Sequence, residues 1–184
     1  MLVLGHKSYF LMYCIIKIIR CKIYITTMTG KLIMKKVYRK ISYGNIIEDL
    51  IIWCTGGLFY FYLEIAFRNY SHYSMIICGG LCFLLVGRVG RKIIIKEDSI
   101  WKMIFKIMLY GGLIITSLEF ITGVLVNMIF DMNVWSYSGL RYNLYGQICL
   151  LYSLLWSLLS LVCVYIEGLI RTFIFETKNK SDLK

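Results

Sequence analysis

One carboxyl group stands out in this chain. "LIITSLEFITGVLVNMIF", residues 113–130, has the length and apolarity of a membrane helix, yet Glu119 sits in its middle and no lysine or arginine accompanies it. A carboxyl group in hydrocarbon can move a proton, hold a solute or bond a neighbouring helix, and inserting one costs roughly 2.5–3.5 kcal/mol on translocon scales. Residues three and four apart share a helix face, so Gly112, Thr116, Glu119, Gly123 and Asn127 form one stripe. Small residues admit a neighbouring helix and polar ones bond to it. Glu119 is therefore expected to face other helices or an internal cavity. Two readings stand: it lines a cavity and serves function, or it is a structural bond to a tyrosine or serine in a tight helix seam.

Other polar residues gather at similar depths. Gly57, Tyr60, Glu64 and Arg68 share a stripe, with Glu64 and Arg68 one turn apart and able to pair. His72 follows in "RNYSHYS". These three polar residues lie at a boundary where hydration is available, which favours a structural role. Gly79, Gly80, Cys82 and Gly87 mark a second apolar run, and Ser153, Ser157, Ser160 and Glu167 a small-residue seam in the last one. Glu167 is expected near the cytoplasmic end, within reach of water. The segment "DMNVWSYSGLRYNLYGQ", 131–147, is rich in aromatics and amides. Trp135, Tyr137, Tyr142 and Tyr145 suit an interfacial belt, most of all the last two. The competing reading is a re-entrant or folded loop that lids a cavity around Glu119, with Trp135, Tyr137, Ser138, Asn143 and Gln147 as its candidate residues. Asn143 is expected to cap the last helix, with Gly146 and Gln147 in its first turns.

The elements that must position these residues are all helical. Of 184 residues 59% are apolar, mean hydropathy is +0.71, and proline is absent. Soluble domains are nearer 45–50% apolar. A hydrocarbon core about 30 Å thick needs roughly 20 helical residues. Four stretches qualify or nearly so: about 50–67, 73–89, 107–130 and 148–170. The fold class is all-α, a polytopic membrane helix bundle, because a lone strand cannot span and barrel alternation is missing. Residues 1–45, the segment 88–106 and the end from Arg171 onward hold nineteen of the Lys and Arg residues; the other two connections hold only Arg68 and Arg141. That asymmetry predicts cytoplasmic N- and C-termini.

The domain plan is a basic segment 1–45, a membrane domain 46–170 and a cytoplasmic tail 171–184. "SYFLMYCII" is too short to span and is followed by Lys17, Arg20 and Lys22. The first segment is read either as lying in the interface or as preceding a true start at Met28 or Met34. The net charge of +11 reports cytoplasmic loops and anionic headgroups rather than nucleic acid, because the basic stretches alternate with apolar ones. The seven cysteines show no CxxC and lie mostly in apolar runs, so they are read as packing residues rather than metal ligands or a disulfide framework. No cofactor or metal is expected. Neither HExxH nor GxSxG occurs, and His6 and His72 are far apart in sequence, so an intramembrane enzyme is not expected.

Three blocks carry a resemblance. They are Glu119, Phe120 and Gly123; Val134, Trp135, Tyr137 and Ser138; and Asn143, Gly146, Gln147, Ile148, Cys149 and Leu150. In that order they resemble a bacterial membrane family labelled "Putative ABC-transporter type IV", or ABC transporter permease, over about residues 52–170. Where the family often has Pro-Phe before the asparagine, this chain has Arg141 and Tyr142. The resemblance implies a permease-like, multi-pass protein of the bacterial cell membrane, involved in transport, and implies no catalytic residues. No GxxxxGK[ST] phosphate loop is present, so ATP-driven transport would require a separate ATPase subunit. Four spans also make homo-oligomers attractive. The alternative is a non-transporting scaffold or regulator that binds a protein or anionic lipid through its basic face. The topology is checked by placing a cysteine at Lys96 in a cysteine-free background. A membrane-impermeant thiol reagent applied outside cells should leave it unlabelled; external labelling would reverse the orientation.

Overall fold

The computed structural model describes residues 46–181. The readings for residues 1–45 lie outside the described residues, as do 182–184. Four long helices follow one another: α1 (Ile46–Arg68), α2 (Tyr73–Lys96), α3 (Ile100–Gly123) and α4 (Leu150–Ser181). A π-helical segment, Val124–Ile129, continues α3, and a two-residue hairpin, β1 (Asn143–Leu144) with β2 (Ile148–Cys149), precedes α4. All four helices are long and apolar enough to cross a membrane. The expected all-α bundle is the observed one.

The basic stretch 88–106, expected as a loop with its flanks, is mostly helix: α2 runs on to Lys96 and α3 begins at Ile100, leaving a turn at 97–99. Its charges tolerate helix because they sit at the bundle's end, where long side chains reach carboxylates or water. Lys106 bonds Glu97 across the turn, and that bond holds the Glu97 carboxyl below its usual range. Likewise, nothing breaks at Arg171, because α4 continues to Ser181.

Glycines set how closely the helices approach. Side-chain carbons added at Gly57 and Gly80 would strike the carbonyl oxygens of Ile76 and Trp53, so α1 and α2 pack backbone to backbone. Gly87 and Gly90 of α2 leave room for Glu167 and Val164 of α4, and Gly111 and Gly112 of α3 do so for Ser160 and Ser157. Val86, Ile94, Ile107 and Val164 form a buried cluster among α2, α3 and α4. Outside it, Leu58, Phe59, Tyr62, Phe105, Leu113, Ile121, Leu151 and Leu154 are exposed. A surface this apolar suits hydrocarbon rather than water. Because a backbone carbonyl cannot swing aside as a side chain can, Gly57→Ala and Gly80→Ala should each destabilise the protein by about 1–3 kcal/mol. Gly139, which has open space around it, should accept alanine without loss. Thermal unfolding in detergent compares the three.

Candidate functional site

Glu119 is buried, and both of its oxygens are engaged. The Tyr137 hydroxyl donates to Oε1 at 2.8 Å, and the Trp156 indole N–H donates to Oε2 at 2.7 Å. Tyr137 comes from the loop after the π segment, and Trp156 from α4, so one carboxyl group joins α3, α4 and the loop. Four rings line this junction. Tyr152 stacks on Tyr137 at 4.9 Å between centroids, and Tyr60 of α1 lies 6.1 Å from Trp156. Burial, with the Glu119 carboxyl beside it, pushes the Tyr137 phenol above its usual range. Tyr137 thus stays a neutral hydroxyl and keeps its proton available for the bond.

The loop is a folded lid. Asn127 occupies the π segment, whose wider turn accompanies a buried amide aimed at the loop. Its Oδ1 accepts from the Val134 N–H at 2.7 Å, and its Nδ2 donates to the Trp135 carbonyl and to Gln147 Oε1. The Trp135 indole donates to the Gln147 carbonyl, and Gln147 Nε2 donates to the Tyr145 carbonyl. Gly123 leaves the space that Gln147 and Trp135 occupy. Arg68 grips the same strand of loop from α1: its Nη2 donates to the Val134 carbonyl at 2.6 Å and its Nη1 to Glu64 at 3.1 Å. Val134 therefore offers its N–H to Asn127 and its carbonyl to Arg68. Ser71 donates to the other Glu64 oxygen at 2.6 Å.

Glu119, Asn127, Gln147, Trp135 and Tyr137 come together as a lid and its anchor, and the expected Glu64–Arg68 pair joins them through Val134. His72 caps α2, its Nδ1 accepting from the Ser74 N–H, a structural role of the kind its boundary position favoured. Thr116 lines a groove of about 180 Å³ with Leu109, Gly112, Leu113, Ser153, Leu154 and Ser157, while both Glu119 oxygens accept from protein donors. One expectation needs correction. Asn143 does not cap α4. Its amide donates to the Leu140 carbonyl and its Oδ1 accepts from the Gly146 N–H, so Gly146 and Gln147 lie in the hairpin turn rather than in the helix. Tyr142, Tyr145 and Gly146 take positive φ there, a conformation a helix start would forbid.

Among the aromatics, Tyr142 and Tyr145 are exposed as a belt would have them, whereas Trp135 is buried and Tyr137 turns inward. Ser138 is exposed and bonds within the loop, to Ser136. Sequence reasoning missed Trp156. The available signal was chemical: an indole N–H within an apolar run requires an acceptor, and Glu119 is one.

A second polar centre lies at the opposite, basic end. Glu167, expected to reach water, is fully buried. Gly87 lets α4 sit so close to α2 that the Glu167 side chain rests on the α2 backbone. Its Oε1 faces Arg171 Nε and lies 3.4 Å from Arg91 Nε.

The chain has the architecture of a helical membrane protein with an ordered loop cap. The family described as "Putative ABC-transporter type IV" matches residues 8–182, and the protein belongs to it. The match reaches well into the first 45 residues, which the resemblance seen in the sequence left outside. No curated protein and no solved structure matches.

The Glu119 junction makes a sharp prediction. An amide at this position can accept from Trp156 and donate to a rotated Tyr137 hydroxyl, so Glu119→Gln should keep near-native stability. Glu119→Ala strands two donors and should cost about 2–4 kcal/mol. Tyr137→Phe should cost about 1 kcal/mol and speed amide hydrogen exchange within 131–147. Thermal melts with exchange mass spectrometry read all three.

Proposed function

We propose that this chain is the membrane-embedded, permease-like component of an ABC-type transport system, crossing the membrane four times with its basic end on the cytoplasmic side. The family match over nearly the whole chain, joined to four helices of spanning length, carries this reading. The chain itself performs no ATP hydrolysis; a separate ATPase subunit supplies it. Glu119 acts as the catch of the lid rather than as a ligand for the solute. Its oxygens already hold two protein donors, so a solute would have to displace Tyr137 or Trp156 to reach them. Passage then follows lifting of the 131–149 loop.

The basic end favours a second reading, a scaffold that binds anionic lipid. Lys92, Lys96 and Lys102 are exposed beside the exposed Trp101, an interfacial pairing of charge and indole. Arg88, Arg91 and Lys106 are instead engaged by carboxylates of the chain.

Co-purification with candidate ATPases, followed by reconstitution into liposomes, separates the readings. The transport reading expects ATP-dependent solute flux that needs both proteins and survives Glu119→Gln. Absence of any ATPase partner, together with lipid binding abolished by neutralising Lys92, Lys96 and Lys102, would replace it with the scaffold.

A further inference from the structure

The basic end of the bundle holds six charged side chains from three helices. Arg171 of α4 is fully buried and forks toward α1: Nη2 lies 2.8 Å from Asp49 Oδ1 and Nη1 3.3 Å from Glu48 Oε2. Its Nε bonds Glu167 on its own helix, which also pairs with Arg91 of α2. Arg88 of α2 extends the chain of pairs onto the other oxygen of Asp49. Three carboxylates meet three guanidinium groups, so the cluster is neutral only when it is complete.

Buried ion pairs hold a structure together less efficiently than apolar packing would, because desolvation consumes most of the attraction. Their physical strength is different: removing one member leaves an uncompensated buried charge, so the arrangement is all-or-none. Here that property falls on one joint. α1 packs along α2 through its glycine seam but touches α4 at few places. At the loop end Tyr60 meets Trp156, and Arg68 grips the loop. At the basic end Arg171 makes its two contacts. Glu48 and Asp49 lie in the first turn of α1 and keep part of their surface exposed. Leaving Arg171 returns both carboxylates to water but leaves the buried guanidinium with Glu167 alone, so the closed contact is the resting state.

We propose that the Arg171–Glu48–Asp49 contact is a latch: it holds the start of α1 against α4, and its release lets α1 swing about its seam with α2 and opens a lateral gap between α1 and α4. Glu167 and Arg91 are the fixed half, which keeps Arg171 buried and oriented in either position. Glu48 and Asp49 are the half that moves. The loop end of α1 stays in place because its contacts do not involve the cluster. This inference does not depend on the transport reading; a scaffold would carry the same joint.

Double electron–electron resonance on the purified chain, in nanodiscs and in a cysteine-free background, tests the latch. Spin labels replace Ile46 and Leu169 across the basic end and, in a second sample, Tyr62 and Leu151 across the loop end. Glu48→Gln with Asp49→Asn removes the moving half, leaves Arg171 with Glu167 and also releases Arg88 from Asp49. The expected result is a longer-distance population at the Ile46/Leu169 pair and an unchanged distribution at the Tyr62/Leu151 pair. Unchanged distributions at both pairs would overturn the latch, and so would equal broadening at both, which reports general loosening. Arg171→Gln is the companion variant. Its expected shift has the same sign and place, and the double variant decides the question if it fails to fold.

Discussion

A carboxylate taken out of water must find donors or cations, and in hydrocarbon they come only from the protein. Three buried glutamates impose that demand on this bundle, and each has a different solution. Glu119 takes neutral donors from an aromatic pair. Glu64 takes a guanidinium and a hydroxyl at the boundary. Glu167 takes two arginines, both on Oε1, and leaves Oε2 without a hydrogen bond. Each solution recruits a different helix or loop. The layout of the chain outside its apolar seams follows from satisfying these groups.

The two ends of the bundle are consequently unlike. At the loop end, a web of directional bonds centred on Val134, Asn127 and Gln147 holds a segment with little secondary structure. Such a web is specific because every buried amide has its partner. At the basic end, charge does the work, and geometry is set by how closely glycines let α4 approach α2. Hydrogen bonds of the first kind position a loop; ion pairs of the second kind tie three helices through one buried guanidinium.

Much of this was legible beforehand. The helical class, the number of apolar spans, the Glu64–Arg68 pair and the small-residue seams all follow from local rules of hydropathy and helical spacing. Gly112, Glu119, Gly123 and Asn127 do face inward as one stripe, although the last of them lies in π rather than α geometry. What stayed hidden lies in contacts across long sequence separations. Trp156 is 37 residues from Glu119, and Arg171 is more than 120 from Asp49 and Glu48. Spacing rules carry no information at such range. Asn143 misled because a good helix cap and a good turn residue are the same residue type.

The sequence by itself determined that the chain builds apolar helices with a carboxyl group at mid-depth, since hydrophobic length and helical periodicity are properties of neighbouring residues. Tertiary structure alone decided what those carboxyl groups meet. Glu119 met an indole and a phenol, and Glu167 met two guanidinium groups rather than water. Partnership of a buried charge is set by which helices pack together and how closely. That in turn rests on glycines whose only signature in sequence is the absence of a side chain.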